Sequence, residues 1–175
     1  MVIPASNLAG NRSNISELDQ YSTPPYATHA LMKREIFEGV IWECASGEGR
    51  MADVIRQYYS DVKISDILMG VNFLTAIEQV DNIITNPPYN LAEEFVKQGL
   101  AVATKKLALF LRLNFLESVR RYTLFKNTPL KKVYVFCKRQ TLSACGVTKG
   151  GTIAYAWYVW EHGYTGNPTL DWIND

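Results

Sequence analysis

An α/β protein with a mostly parallel sheet is predicted by three observations. Short apolar runs alternate with segments of helical period between residues 27 and 125. A glycine turn, Ser46-Gly47-Glu48-Gly49, follows the first apolar run, where open α/β sheets receive nucleotide ligands. Two β-rich stretches, 132–137 and 153–160, close the chain with no helix between them. Strands that alternate with helices are joined by crossovers and pair in parallel. The closing pair reads instead as an antiparallel hairpin at the sheet edge.

The elements follow in order. Residues 1–20 are polar and rich in Asn and Ser, the composition of a flexible arm. Residues 27–39 place Ala30, Leu31, Ile36 and Phe37 on one helical face and stop at Gly39. Val40-Ile41-Trp42 is a short buried strand, and the glycine turn opens a helix over about 50–59. Val62-Lys63-Ile64-Ser65 is a second strand ending at Asp66, with a third, very short strand expected near Val71-Asn72-Phe73. A strand over 82–85, a helix over 91–104, a strand over 107–111 and a helix near 116–125 complete the alternation. The interval from Asp66 to Asp81 is too short for a full helix plus a strand, so the fold is trimmed between its second and fourth strands.

Composition narrows the function. At 175 residues the chain fits one domain, expected over 21–175. No apolar run has the length of a membrane span and no signal-peptide pattern opens the chain, so the cytoplasm is the expected compartment. Cys44, Cys137 and Cys145 are too scattered for a disulfide framework or a paired metal motif, so no metal is expected. Charge is divided unevenly. Residues 1–99 carry 7 Lys+Arg against 13 Asp+Glu, whereas residues 100–175 carry 11 against 4. Glu117 is the only acid among the ten cations of 105–139. That stretch is either a solvated face or a surface for a polyanion.

The residues richest in chemistry are Asn86-Pro87-Pro88-Tyr89, directly after the run Asp81-Asn82-Ile83-Ile84-Thr85. Each proline fixes its own φ and holds the preceding residue extended. The Asn86 side-chain oxygen and the Pro87 carbonyl can then converge as two acceptors, while Tyr89 offers a stacking face. This is chemistry for a flat group bearing an exocyclic amine. The tetrapeptide resembles the catalytic motif of amino-directed methyltransferases, above all those modifying N6 of adenine. With the closing strand Ala154-Tyr155-Ala156-Trp157-Tyr158-Val159-Trp160 and the segment Arg112-Leu113-Asn114-Phe115-Leu116-Glu117, the chain is similar to small phage and prophage DNA adenine methyltransferases. The resemblance covers about residues 21–160. It implies the Rossmann-like class I methyltransferase fold, mostly parallel with one antiparallel edge strand.

The resemblance also implies S-adenosylmethionine as cofactor and assigns residues to it. Glu43-Cys44-Ala45-Ser46-Gly47-Glu48-Gly49 looks like the first cofactor motif, with Glu43 meeting the methionine ammonium and Ala45, Ser46, Gly47 and Gly49 lining the cofactor. Cys44 stands where the family often has proline. Asp66 would accept the ribose hydroxyls. Asn72-Phe73 falls at the family's Asp-Phe, with Phe73 stacking on the cofactor adenine and Asn72 keeping one acceptor without the charge. Thr23-Pro24-Pro25-Tyr26 resembles the segment that opens gamma-type enzymes, so Thr23, Pro24 and Tyr26 would close over the methionine end. Asn86 would also line the cofactor.

On the substrate side the resemblance implies DNA, presented as a flipped or single-stranded base. Tyr89 would stack on that base, and Arg112, Arg139, Leu142 and Lys149 would contact the substrate. Many relatives supply a second aromatic from the loop at 139–146, and none is present here. Little chain follows Trp160, so no separate target-recognition domain is expected and sequence specificity should be low. The choice stays open between DNA and RNA, between adenine and another amine such as protein glutamine, and between an enzyme and a degenerate binding module.

Overall fold

The computed structural model describes residues 22–139 and 153–174, and the backbone of 143–144 and 147–148. The expected arm (1–20), Leu142 and Lys149 lie outside the described residues. The elements are α1 (Pro25–Met32), β1 (Ile41–Glu43), α2 (Arg50–Ile55), β2 (Val62–Ile64), β3 (Val80–Thr85), α3 (Ala92–Val102), β4 (Ala103–Arg112), α4 (Tyr122–Lys126), β5 (Leu130–Phe136), β6 (Ser143–Ala144), β7 (Val147–Thr148), β8 (Tyr155–Glu161) and β9 (Thr169–Ile173). Apart from the small β6–β7 hairpin, the strands form one sheet in the order β2-β1-β3-β4-β8-β5-β9.

The β2, β1, β3 and β4 strands pair in parallel, as do β5 and β9. The reversed strand is β8, antiparallel to both neighbours. A single reversed strand in a mostly parallel sheet is the expected architecture, but its position corrects the expectation. It is interior, between β4 and β5, and the edge belongs to β9. The reason lies in its sequence. Six consecutive residues of β8 are buried, including Trp157, Tyr158 and Trp160. An all-apolar strand needs cover on both faces and a partner on both sides. The missed β9 is short, and its outward Leu170 and Trp172 are more than half exposed. It therefore lacks the buried alternation that marks a strand in sequence.

Period-two alternation places the core on both faces of the sheet. Leu107, Leu109 and Leu111 of β4 face the α3 side, whereas Ala108 and Phe110 face the α1 side. Several helices are shorter than their apolar spacing predicts, α1, α2 and α4 among them. In α1 the chain leaves the helix after Met32, and Ile36, expected in the core, is 73% exposed. Glu35 explains the departure. Its buried carboxylate accepts from the Tyr134 hydroxyl at 2.7 Å and pairs with Lys106 at 2.6 Å, which also approaches Glu161 at 3.3 Å. This tertiary network outweighs helix propensity. Removing one partner strands the others in a low-dielectric site. Glu35→Ala is therefore expected to cost about 2–3 kcal/mol, and Glu35→Gln, which can keep the Tyr134 bond, less. A urea midpoint unchanged by Glu35→Ala would contradict the role.

The helix expected near 116–125 is reduced to α4, preceded by 3-10 turns at Leu113–Leu116 and Val119–Arg121. Here Arg121 captures the carbonyls. Its guanidinium donates to the backbone oxygens of Phe115, Asn114 and Glu117 at 2.7, 3.2 and 3.0 Å. Asn114 O also accepts the 3-10 bond from Glu117 N at 3.0 Å, and the other two oxygens are spent on the guanidinium in place of a longer helix. The expected third strand is absent from 71–73. Two 3-10 turns, Ile67–Met69 and Phe73–Thr75, cross the interval, capped by Asp66 accepting from Leu68 N and Asn72 accepting from Leu74 N. The trimming is thus complete: neither a helix longer than one turn nor a strand lies between β2 and β3.

Candidate active site

The candidate site gathers at the carboxyl ends of β1, β3 and β4, which lie side by side in the sheet. Glu43 ends β1 and Thr85 ends β3. Parallel pairing brings them together, and Thr85 Oγ1 donates to Glu43 Oε1 at 2.5 Å. The Ala45 amide donates to the same oxygen at 3.2 Å. Glu43 is almost fully buried, and burial pushes its carboxyl up to about 7. The Thr85 and Ala45 hydrogen bonds oppose that rise, and the nearby Asp66 charge adds to it. No cation offsets this carboxylate among the described residues.

The glycine turn is fastened to the second strand. Ser46 N donates to Ser65 O at 3.0 Å, and Gly49 N to Ser46 O at 2.7 Å. Gly47 and Gly49 adopt φ of 49° and 82°, the left-handed region that favours glycine. A Cβ at either would meet nothing within 4 Å. Glycine is needed there for the backbone, and the space beside the turn is open. Asp66 holds the turn from the other side. Its Oδ2 accepts from Gly47 N and its Oδ1 from Leu68 N, both at 2.9 Å. Each oxygen keeps one further lone pair. A buried, uncompensated acid beside an open glycine turn, with a second acid one strand away, fits a ligand that carries an ammonium and vicinal hydroxyls.

Thr85 leads straight into Asn86, so one strand end links this acid to the tetrapeptide Asn86-Pro87-Pro88-Tyr89. Pro87 is buried and Pro88 O accepts from Leu91 N at 2.9 Å, starting the 3-10 turn Tyr89–Leu91 ahead of α3. The Asn86 side-chain oxygen is buried. The Tyr89 ring faces the Arg112 guanidinium at 4.6 Å and the Tyr155 ring at 5.8 Å, tilted by 41°. This cluster follows from register, because Arg112 at the end of β4 pairs across the sheet with Tyr155 at the start of β8. Burial and the neighbouring Tyr155 push the Tyr89 phenol well above its usual range, against the lowering effect of Arg112 and Asn86. Beside the tetrapeptide lies a cleft of ≈ 270 Å³ lined by Tyr89, Ala92, Leu111, Arg112, Asn114, Phe115, Glu117 and Arg121.

Glu43, Ala45, Ser46, Gly47, Gly49 and Asp66 therefore converge, and Thr85 joins them to Asn86, Pro87, Pro88 and Tyr89. Arg112 stands against Tyr89. Thr23 is buried ahead of α1, Pro24 O accepts from Ala27 N, and Tyr26 is 46% exposed. Phe73 is 3% exposed, packed against Trp42 and Phe95 with ring centroids 5.4 and 5.0 Å away. Its faces belong to the core, and the side chain of Asn72 is engaged in capping. Arg139 is exposed at the far end of the basic stretch. Sequence reasoning missed Thr85, Phe115, Arg121 and Tyr155. Thr85 had a signal, since the residue before Asn86 ends its strand beside Glu43. The other three depend on loop geometry and register.

No family model and no curated protein sequence matches the chain. Likeness appears in three dimensions. A protein assigned as a modification subunit of a type I restriction enzyme from Vibrio vulnificus superposes with a TM-score of 0.63 at 13% identity, over 96% of this chain and 50% of that one. The chain thus spans half of that subunit's length. A protein assigned as an RNA methyltransferase from Pyrococcus horikoshii gives 0.56 at 12% identity, over 83% and 87% of the two chains. One assigned as a class I S-adenosylmethionine-dependent methyltransferase from Listeria monocytogenes gives 0.54 at 12%, over 86% and 62%. Sheet order, the lone reversed strand and these likenesses agree: the chain has the fold of the class I S-adenosylmethionine-dependent methyltransferases.

Proposed function

We propose that the chain is an S-adenosylmethionine-dependent methyltransferase acting on the exocyclic amine of a nucleic-acid base, with N6 of adenine in DNA as its target. One observation carries this reading. Asn86-Pro87-Pro88-Tyr89 leaves β3 immediately after Thr85, which hydrogen-bonds the buried Glu43, so an acid suited to an ammonium and a motif suited to an amine adjoin.

Bound S-adenosylmethionine supplies a methyl group already activated as a sulfonium, so positioning and electrostatics remain for the protein. Glu43 would hold the methionine ammonium, and Asp66 would accept from the ribose through its remaining lone pairs. Ala45, Ser46, Gly47 and Gly49 would shape the floor, with Thr23, Pro24 and Tyr26 closing the methionine end. Phe73, committed to the core, would back the adenine pocket rather than stack in it, and Asn72 would border it. Asn86 Oδ1 and the Pro87 carbonyl would accept both amine hydrogens. That arrangement favours a tetrahedral nitrogen with its lone pair aimed at the methyl, and it stabilises the positive charge that develops there. The amine proton leaves to solvent.

Residues 21–175 would act as one catalytic unit of low sequence specificity, with Arg139, Leu142 and Lys149 bordering the nucleic acid. RNA is the second reading, because the basic stretch 105–139 suits either polyanion. Transfer of labelled methyl groups to single-stranded DNA, duplex DNA, RNA and a protein extract, run in parallel, tests the proposal. Label in DNA is expected. Label confined to protein would overturn the nucleic-acid target.

A further inference from the structure

The cleft beside Asn86 has an unusual construction. Two of its aromatic walls each carry a guanidinium: Arg112 lies 4.6 Å from the Tyr89 ring, and Arg121 lies 4.7 Å from the Phe115 ring. The two cations differ in how they are used. Arg121 is committed to three backbone carbonyls, so it holds the loop. Arg112 is not committed in that way. Its Nε is buried without a hydrogen-bond partner. A buried charged donor left unsatisfied keeps the full desolvation penalty of the group with nothing to offset it. Such a group is uncommon in a folded protein and calls for an explanation. The strand register holds it in place, since Arg112 pairs with Tyr155 at the rigid end of β4.

An acceptor supplied by the occupant of the cleft would satisfy this donor. We propose that Arg112 is a specificity-determining residue whose Nε–H donates to a ring nitrogen of the target heterocycle, next to the amine held by Asn86 and Pro87. The inference rests on the methyltransferase reading and sharpens it. The site reads a donor and an acceptor side by side, as an aminopurine presents them on one edge, and the contact with the Tyr89 ring holds the guanidinium at that edge. Adenine offers such a nitrogen on either side of its amine, at N1 or N7. The geometry of the cleft, rather than the amine alone, then selects the substrate.

The test compares oligonucleotides whose target is adenine, 1-deazaadenine or 7-deazaadenine, using the full chain, wild type and with Arg112→Met or Arg112→Lys. Each ratio of kcat/KM, adenine over analogue, is measured, with S-adenosylmethionine binding by calorimetry as the folding control. In the wild type one of the two analogues is expected to lose roughly 10- to 100-fold, the worth of one hydrogen bond to a charged donor. In Arg112→Met that ratio should collapse towards the analogue's intrinsic reactivity, and Arg112→Lys should restore part of it. A merely structural arginine would lower all rates together and leave the ratios unchanged, which would overturn the proposal. So would equal use of all three bases by the wild type. Absence of transfer to adenine by the wild type would instead sink the methyltransferase reading, and this inference with it.

Discussion

Replacing Asn86 by alanine is expected to lower kcat for methyl transfer by roughly 10²- to 10³-fold, the usual effect of deleting one preorganised polar group at a developing charge. Cofactor affinity should change little, because the acid that would hold the cofactor sits on a different strand. Asn86 Oδ1 is buried at the end of β3, next to the rigid Pro87-Pro88 pair. It is thus positioned before substrate arrives, so little reorganisation accompanies the reaction. A loss in kcat without weaker binding is the signature of an interaction made mainly in the transition state. Single-turnover rates and calorimetry on the same preparation separate the two quantities. Retained turnover would remove Asn86 from the chemistry, and lost cofactor binding would move it into the cofactor site.

Glu43→Gln is expected to stabilise the protein without cofactor while weakening the cofactor's binding. The carboxyl of Glu43 is raised from 4.5 to about 7, chiefly by burial. A carboxyl that ionises less readily in the folded protein than in the unfolded chain makes folding less favourable as pH rises. Its contribution is therefore fully present below about pH 4.5 and is lost as pH climbs through about 7, a swing of about 3 kcal/mol. The neutral glutamine keeps an acceptor for Thr85 and Ala45 and escapes this loss. Its advantage should be near zero at about pH 4.5 and about 3 kcal/mol at pH 8. The binding effect has the opposite sign. An ammonium pairs with the ionised form, so wild-type affinity should rise with pH up to about 7 and then level off, with proton release on binding. Glutamine should flatten that profile. Denaturant melts at two pH values and calorimetry in two buffers check both parts, and a wild type whose stability does not fall between them would contradict the buried-acid account.

Much of the fold was legible because strand and helix periods are local. The run 107–111, the glycine turn and the trimmed interval after Asp66 all announce themselves in residue order. What was not legible depends on partners distant in sequence. Glu35 ends α1 because Tyr134 and Lys106 await it 99 and 71 positions away in sequence, respectively. β9 escaped notice because an edge strand with exposed Leu170 and Trp172 has no buried face to read. The interior place of β8 follows from its pairing with both β4 and β5. At the site, Glu43, the glycine turn and Asn86–Tyr89 were readable as motifs. Their connection through Thr85 was not, since it is a cross-strand hydrogen bond. The loop at 139–146 offers Tyr89 no aromatic residue, and its ring neighbour is Tyr155, which the β4–β8 register sets opposite Arg112. Phe73 shows the reverse: a residue type that suits stacking is spent on the core.

The central claim is that Asn86-Pro87-Pro88-Tyr89 directs methyl transfer to an exocyclic amine of a base. Nucleoside analysis of DNA incubated with the protein and isotopically labelled S-adenosylmethionine tests it most directly. Labelled N6-methyl-2′-deoxyadenosine is the expected product, lost with Asn86→Ala. Label on a ring carbon such as C5 of cytosine, or on a sugar oxygen, or label unaffected by Asn86→Ala, would contradict it.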